Sequence, residues 1–238
     1  MAIADQLASV QARIAAAAQR SGRDPASITL IAVSKTFPFD AIREAAAAGQ
    51  RDFGENRVQE ALQKVAHPAG TSLSLRWHLI GHLQTNKAKK AAPAFACIHS
   101  VDSLELLRKL DDAARERPSG AGPLELLVQI DLAGEETKFG AAPDEAERIV
   151  RAAGSLTHAR VGGLMLVPPW NEDPEQTRPW FIRLRALRDR LLNDGVDPGT
   201  LRHLSMGMSH DYEAAIEEGA TIVRVGTAIF GKRDPPVQ

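Results

Sequence analysis

The clearest candidate for chemistry in the sequence is Lys35, which follows a buried strand without a break. The stretch from Thr29 to Pro38 reads TLIAVSKTFP, and its first part is apolar and β-branched, as buried strands are. A lysine often ends a strand simply because the chain reaches water there. A lysine that is partly withdrawn from water holds its proton less tightly, and its free amine can then attack an aldehyde. Lys35 is therefore either a solvated strand end or a nucleophile, and composition does not choose between them.

A second candidate lies near the C-terminus, in the stretch TIVRVGTAIFG. This pattern predicts a last strand in which Arg224 is in phase with the apolar Ile222 and with Gly226. A buried arginine stays charged and needs an acceptor. One interpretation is a structural salt bridge across the fold to Glu55 or Asp131.

Two loops near this strand have the residue types of a phosphate site. Gly226 and Thr227 end the predicted strand, where a glycine lets the backbone approach a ligand and the following N–H groups can hold phosphate. Ser209 lies in LSMGMSHDYEAA, just before a helical pattern. It is the N-cap of that helix, a contact for an anion beside the free N–H groups, or both.

The elements that position these residues are short apolar runs that alternate with helical patterns. The predicted strands are TLIAVS, RDFGE, RWHLIG, FACIHS, LELLVQID, RVGGLMLV, RHLSMG and TIVRVGTAIFG. Each is followed by a helix or, after the last, by a turn, and this alternation requires parallel strands with crossover helices. About eight such units in 238 residues predict a (β/α)8 TIM barrel rather than a doubly wound open sheet, which usually has fewer strands.

The predicted organisation is one domain spanning 1–238. A helix at about 2–21 precedes a barrel at about 28–231, and the loop PSGAGP is too short to be a domain boundary. The apolar residues of the first helix recur at helical spacing. They are Ile3, Leu7, Val10 and Ile14.

Reactive groups in such barrels lie at the C-terminal ends of the strands. Small and polar residues gather at the predicted ends. These ends are Ser34-Lys35, Gly54-Glu55-Asn56, Gly81-His82, His99-Ser100, Asp131, Met165, Ser205-Met206 and Gly226-Thr227.

Composition excludes several classes of function. A net charge of -1 argues against a dedicated nucleic-acid binder, and no run approaches the roughly 18 apolar residues of a membrane span. The N-terminus lacks the basic start and apolar centre of a signal peptide. The single cysteine, Cys97, excludes an internal disulfide and fits a cytoplasmic protein. No metal-ligand spacing is found, so we expect no metal site.

Seven segments together resemble the pyridoxal phosphate homeostasis protein family, which is similar to the barrel domain of alanine racemase. The segments are AVSKTFP, FGENRVQE, WHLIGHLQTNKAKK, HSVDS, GLM, LSMGMSHDYEAAIEEGAT and VRVGTAIFG. The glycine and serine pieces alone are weak signals, but seven pieces in this order from Ile31 to Gly231 are a strong one. The resemblance implies a monomeric or weakly dimeric barrel that carries pyridoxal 5'-phosphate (PLP) covalently on a lysine.

The resemblance assigns roles to residues one by one. Lys35 in VSKT matches the Schiff-base lysine of the family, and Arg224 in VRVGT matches the arginine that contacts the pyridine nitrogen. Further residues match the phosphate cradle or positions near the cofactor. Those of the cradle are Ser209, Gly226 and Thr227, and those near the cofactor are Asn56, Met206 and Ser205. His82 either lines the mouth of the site or is a structural histidine.

The resemblance implies a protein that stores, buffers or delivers PLP, with apo-enzymes that use PLP as candidate recipients. The alternatives are an amino-acid racemase of the same fold and a barrel that binds another phosphorylated metabolite. Racemisation needs a proton donor on each face of the substrate carbanion, and in alanine racemase the second is a tyrosine from an additional domain. The only tyrosine here, Tyr212, begins the helix after the seventh strand, on the phosphate side. We therefore expect cofactor binding without efficient turnover.

Overall fold

A computed structural model, which describes residues 2–70, 73–134 and 139–232, contains a closed barrel of eight parallel strands. Each strand pairs with its neighbour in chain order, and the eighth pairs with the first. The strands are β1 (Thr29–Val33), β2 (Asp52–Glu55), β3 (Arg76–Leu79), β4 (Cys97–Val101), β5 (Leu124–Ile130), β6 (Ala159–Leu166), β7 (His203–Met208) and β8 (Ile222–Val225). The prediction of a (β/α)8 TIM barrel is confirmed.

Helices follow the strands and cover the outside of the barrel. Within the described ranges they are α1 (Ile3–Arg20), α2 (Phe39–Ala47), α3 (Val58–Val65), α4 (Ala88–Ala91), α5 (Leu104–Ala114), α6 (Pro143–Arg151), α7 (Arg178–Asn193), α8 (Tyr212–Glu217) and α9 (Thr227–Phe230). None of them is long and apolar enough to cross a membrane.

The last predicted strand was too long. Strand β8 ends at Val225, and the segment TAIF that follows is α9, because the N–H groups of Ile229 and Phe230 bond the carbonyl of Gly226. Pairing explains this end, since β1 offers partners only as far as Ala32, which pairs with Val225. A strand pattern without a neighbour to pair with does not remain a strand.

Side chains point alternately inward and outward along the strands, and the two faces of the sheet therefore form two separate apolar clusters. The larger cluster lies between the sheet and the helices, and it includes Ala32, Val223 and Val225. The smaller one fills the barrel interior and consists of Ile31, Cys97, Leu127, Met165 and Ile222. Other inward positions on β2, β3, β4, β7 and β8 carry polar side chains, among them Asp52, His78, His99, Ser205 and Arg224.

Helix α1 precedes the barrel and packs against α2, α8 and α9. Its buried face consists of Leu7, Val10, Ile14, Ala17 and Ala18. Exposed ion pairs flank this contact, with Arg13 bonded to Glu213 and Arg20 bonded to Glu217 at 2.8 Å. The helix therefore covers the outside of the barrel near the end of the chain and takes no part in the barrel wall.

Candidate functional site

The parallel strands bring their C-terminal ends to one rim of the barrel, as the sequence predicts. Three of the predicted ends were nevertheless placed too early along the chain. His99-Ser100 lies inside β4, Met165 inside β6, and Ser205-Met206 inside β7. The side chains of His99 and Ser205 consequently lie below the rim, in the interior of the barrel.

Lys35 lies two residues after the end of β1, and Ser34 between them is held by a buried ion pair. The Nζ atom of Lys64, on α3, donates to the carbonyl of Ser34 at 2.8 Å and to the carboxylate of Glu55 at 2.7 Å. The hydroxyl of Ser34 donates to the same carboxylate at 2.6 Å. Glu55 and Ser34 are both fully buried, so the backbone that leads into Lys35 is fixed from two sides.

The residue after Lys35 is held as well. Thr36 has a φ of 69°, a left-handed conformation that residues other than glycine rarely adopt. Its N–H donates to Glu60 at 2.5 Å, and Glu60 in turn accepts from Lys64 at 2.8 Å. One lysine on α3 therefore connects both flanks of Lys35, whose own side chain is half-buried.

The pKa values of the two carboxylates in this cluster shift in opposite directions. Burial raises the pKa of Glu55, and the hydrogen bonds from Lys64 and Ser34 offset only part of that effect. Burial also raises the pKa of the less buried Glu60, but the bonds from Lys64 and from the N–H of Thr36 outweigh it and bring that pKa below its usual value. The Oε2 atom of Glu55 has no hydrogen-bond partner among the described residues.

Arg224 lies on β8, the strand that pairs with β1, and is 3% exposed. Its guanidinium donates to the hydroxyl of Ser205 at 2.6 Å and to the carbonyl of Leu166 at 2.9 Å. The salt bridge to Glu55 or Asp131 that the sequence left open is wrong, because Glu55 is engaged by Lys64, and Asp131 accepts from backbone N–H groups of its own loop. Burial lowers the pKa of Arg224 to about 10, so the side chain remains charged at neutral pH.

The loops after β7 and β8 are joined by a hydrogen bond between the residues predicted to hold phosphate. The N–H of Gly226 donates to the hydroxyl of Ser209 at 3.0 Å. Thr227 follows as the exposed first residue of α9. The interpretation of Ser209 as an N-cap is wrong, because α8 begins at Tyr212 and is preceded by Asp211, whose carboxylate accepts from the N–H of Met208.

Two glycines hold backbones close together around these loops. Gly207 has a φ of +89°, and a Cβ there would lie 2.6 Å from the Cβ of Ala215. Gly81, after β3, lies so close to Asn56 that a Cβ would be 2.3 Å from its carbonyl oxygen. The half-buried Asn56 is thus fixed at the end of β2 by the next strand along the wall.

His82 lies at the barrel mouth on the strand-end side. Its Nδ1 atom is 3.5 Å from the carboxylate of Asp102, and its ring stacks on Phe139 with centroids 3.7 Å apart. Phe139 is itself 55% exposed. The stack belongs to the rim of the barrel rather than to its interior.

Ser205 and Met206 are neighbours on β7 but face opposite ways. Ser205 points inward to Arg224, whereas Met206 belongs to the cluster between sheet and helices. Any approach of Met206 to a ligand in the barrel would therefore involve its backbone.

The predicted site residues do not include Lys64, and the prediction places His99 among the strand ends without linking it to His78. A signal for Lys64 was present, since the buried face of α3 is Val58, Ala61 and Lys64, and a lysine on an apolar helix face needs a partner. No local signal joins His78 to His99, because they lie on separate strands and meet at 3.1 Å only in the barrel.

Comparison with known proteins places the chain among PLP-related barrels. The family model for the N-terminal domain of alanine racemase matches residues 6–234. The chain is 48% identical over 232 residues to a protein of Pseudomonas aeruginosa named pyridoxal phosphate homeostasis protein, covering 98% of this chain and 96% of that one. It is 43% identical over 237 residues to the protein of the same name from Escherichia coli, covering 98% and 97%.

Solved structures agree with the sequence matches. PipY of Synechococcus elongatus, solved with PLP bound, superposes with a TM-score of 0.82 at 42% identity and covers 96% of this chain and 100% of that one. An alanine racemase of Clostridium difficile superposes with a TM-score of 0.68 at 18% identity, covering 98% of this chain but 58% of the racemase. At that identity the racemase shows a shared fold and nothing more.

Proposed function

The chain belongs to the pyridoxal phosphate homeostasis protein family, whose barrel is that of the alanine racemase N-terminal domain, and we propose that it binds PLP in order to store, buffer or deliver it. The observation that carries the proposal is the convergence at one barrel rim of an amine on β1 and of the joined loops after β7 and β8. PLP has an aldehyde, a phosphate and a ring nitrogen, and the rim has residues suited to each.

The buried arginine is the feature that best fits the ring nitrogen. A guanidinium has five N–H donors, and among the described residues Arg224 uses them on Ser205 and on the carbonyl of Leu166. Donors therefore remain for an acceptor in the barrel mouth. The ring nitrogen of PLP, when unprotonated, is such an acceptor.

Lys35 is the residue proposed to carry the cofactor covalently. Its amine would condense with the aldehyde of PLP and release one water, provided that the amine is unprotonated. The backbone on either side, at Ser34 and Thr36, is held by hydrogen bonds. This supports the role because it fixes the position of the Cα atom of Lys35. Pre-positioning of this kind lowers the entropic cost of the condensation.

The phosphate is proposed to lie at the loops after β7 and β8. Ser209 already accepts from the N–H of Gly226, so its own hydroxyl hydrogen is directed elsewhere. A Cβ at Gly226 would lie 3.3 Å from the carbonyl of Val33, which leaves little space for a side chain on that side. Asn56, His82 and the backbone of Met206 remain proposed neighbours of the cofactor.

We propose further that PLP binding is not accompanied by efficient turnover. An arginine donates to the ring nitrogen and leaves it unprotonated, which makes the ring a weaker electron sink than an acidic partner does. Tyr212 supports the proposal by its position, since it is 1% exposed and its ring lies beneath Arg13 of α1, outside the barrel. It cannot act there as the second acid that a racemase needs.

The covalent site is tested by reduction of the PLP-loaded protein with borohydride, followed by peptide mass mapping. We expect the pyridoxyl group on Lys35. The variant Lys35→Ala should lose the label but retain weak, noncovalent PLP binding, because the phosphate loops are intact. A label on Lys87, in the short helical turn after β3, would contradict the assignment.

The absence of turnover is tested separately, by incubating the PLP-loaded protein with L-alanine in deuterated water. Slow or absent exchange at Cα, with PLP still transferable to an apo-enzyme, is the expected result. Rapid exchange with inversion would instead identify an amino-acid racemase. If the protein binds another phosphorylated metabolite and no PLP, the cofactor assignment itself is wrong.

The cellular setting is also a proposal. Cys97 is buried, and burial raises the pKa of its thiol well above the usual value, so it is a poor nucleophile for disulfide exchange. Membership of the family is the support for our proposal of a cytoplasmic protein that acts as a monomer or weak dimer. Apo-enzymes that require PLP are the proposed recipients.

A further inference from the structure

Five polar side chains form a chain of hydrogen bonds through the interior of the barrel. Arg224 donates to Ser205 at 2.6 Å, and the Ser205 hydroxyl lies 2.9 Å from Nδ1 of His99. The Nε2 atom of His99 lies 3.1 Å from Nδ1 of His78, whose Nε2 lies 2.9 Å from Asp52. The chain runs from the rim that carries the candidate site to the opposite end, where Asp52 begins β2.

The two ends of this chain determine where its protons lie. Arg224 can only donate and an ionised Asp52 can only accept, whereas a neutral imidazole donates once and accepts once, and a hydroxyl donates once and accepts up to twice. Ser205 then donates to Nδ1 of His99, and Nε2–H of His99 donates to Nδ1 of His78. Nε2–H of His78 donates to Asp52. In this arrangement, with neutral rings, each histidine carries its proton on Nε2.

Burial and charge agree with this arrangement. His99 is fully buried, and burial, reinforced by the nearby His78 and Arg224, brings its pKa well below the usual value. Burial alone would raise the pKa of Asp52, but the hydrogen bonds from His78 and Arg76 outweigh it, and the carboxyl remains ionised at neutral pH. Asp52 also lines a cavity of about 270 Å³ at that end of the barrel.

We propose that Ser205, His99, His78 and Asp52 are positioning residues for Arg224, and that this polarised chain holds the guanidinium with its remaining donors toward the ring nitrogen of the cofactor. The proposal rests on the proposed function for the identity of that cofactor. Hydrogen bonds in a row polarise one another, so Ser205 accepts more strongly because it donates onward. Arg224 thereby receives a distant counter-charge, Asp52, four hydrogen bonds away.

The two histidines of this chain, together with Cys97, also form a group that is able to bind a metal ion. His78, His99 and Cys97 offer ligand atoms that all lie within 4.8 Å of one another. A bound ion would have to displace the proton of the buried Cys97 thiol, whose pKa without an ion lies well above its usual value. It would also add a double positive charge beside the buried Arg224. A chain of hydrogen bonds, with one proton in each contact, fits this environment better than a metal cation.

Nitrogen-15 NMR of the cofactor-free protein tests the direction of the chain. We expect both His78 and His99 to be neutral and protonated on Nε2. Protonation of Nδ1 on either ring, or a doubly protonated His78, would overturn the proposed direction. Stoichiometric binding of Co²⁺ with a thiolate charge-transfer band would overturn it in favour of a metal site.

A matched pair of variants tests the effect on the cofactor. Asp52→Asn removes the charged end of the chain, whereas Arg76→Gln removes the exposed partner that bonds Asp52 at 2.5 Å and leaves the chain intact. We expect Asp52→Asn to weaken PLP binding about three- to tenfold and to shift the absorption band of the bound cofactor. Arg76→Gln should change the affinity for PLP less than about twofold, although this variant, like Asp52→Asn, loses the ion pair between Asp52 and Arg76.

Melting temperatures of both variants separate this effect from a loss of stability. If the two variants lose similar stability and have equal affinity for PLP, the chain is purely structural and the proposal is wrong. A second control is His203→Gln, since His203 lies on the same strand as Ser205 but bonds Thr221, outside the chain. A wild-type protein that takes up no PLP would overturn the proposed function, while the NMR experiment still decides the direction of the chain.

Discussion

The two walls of the barrel mouth hold buried charge in opposite ways. On the first wall, formed by β1, β2 and α3, Lys64 is paired with Glu55 at 2.7 Å and with Glu60 at 2.8 Å. On the second wall, formed by β7 and β8, the hydrogen bonds of Arg224 within the described residues go to neutral oxygens, the hydroxyl of Ser205 and the carbonyl of Leu166.

The difference shows how one barrel can hold the backbone around Lys35 rigidly and still keep the charged side chain of Arg224 available to a ligand. The first wall neutralises its lysine locally and uses it to hold backbone around Lys35. Among residues 2–70, 73–134 and 139–232, the second wall places no carboxylate in contact with its arginine, so the positive charge and the spare donors are available to a ligand. If this contrast is right, disruption of the first wall should mainly affect stability, whereas disruption of the second should mainly affect affinity.

Loss of Lys64 should have the largest effect. Lys64→Met leaves Glu55 buried without its partner, and breaking a buried ion pair on one side typically costs about 3–5 kcal/mol. Chemical denaturation should show a decrease of that size in the free energy of unfolding. Lys109→Met, which removes an exposed pair with Glu105 at 2.9 Å, is the control and should cost less than about 1 kcal/mol.

A double variant sharpens this test. Glu55→Gln combined with Lys64→Met removes the fully buried charge together with its partner and should recover much of the lost stability, because the half-buried Glu60 that remains still accepts from the N–H of Thr36. If Lys64→Met alone costs no more than the Lys109→Met control, the first wall is not held by this ion pair.

Changes to the second wall should act on affinity for the phosphate. Hydrogen bonds to a charged acceptor are worth about 1.5–3 kcal/mol, so Ser209→Ala or Thr227→Val should weaken PLP binding by about ten- to a hundredfold. Pyridoxal, which lacks the phosphate, should bind these variants nearly as well as the wild type. Isothermal titration with both ligands measures the difference, and equal weakening of both would place the phosphate elsewhere.

The pH dependence of stability should report on Glu55. Its pKa in the folded protein lies above the usual 4.5, so its contribution to stability is complete below that value and is lost as the pH rises through the folded pKa. The difference in unfolding free energy between wild type and Glu55→Gln should therefore become less favourable to the wild type above about pH 4.5. A difference that grows with pH would show that Lys64 keeps the folded pKa of Glu55 low instead.

Met206→Leu should have the smallest effect on PLP affinity, because the side chain of Met206 lies on the outer face of the second wall. Its side chain lies in the outer cluster, and a volume-conserving exchange there usually costs less than about 1.5 kcal/mol. We expect PLP affinity to change less than about twofold, in contrast to substitutions at the inward-facing Ser205. A tenfold loss of affinity on titration would show that the thioether, rather than the backbone, contacts the cofactor.

Much of the fold and the main candidate residues were accessible from the sequence alone. Periodicity is a local property, and alternating strand and helix patterns predicted the eight units and hence the barrel. The rim position of Lys35 and the inward phase of Arg224 followed from the same patterns. Strand ends were less predictable, as Ser205 and the segment TAIF show, because pairing with a neighbouring strand decides where a strand stops.

The tertiary structure alone decided how these residues are held. Lys64 meets Glu55 because α3 packs over β2, and Asp52 connects to Arg224 through side chains from three other strands. Residues 99 and 205 are separated by 106 positions, and no spacing along the chain marks them as partners. The physical reason is that the inward face of a closed barrel is common to all eight strands. The partner of a buried polar group is set by strand register and not by the residues beside it.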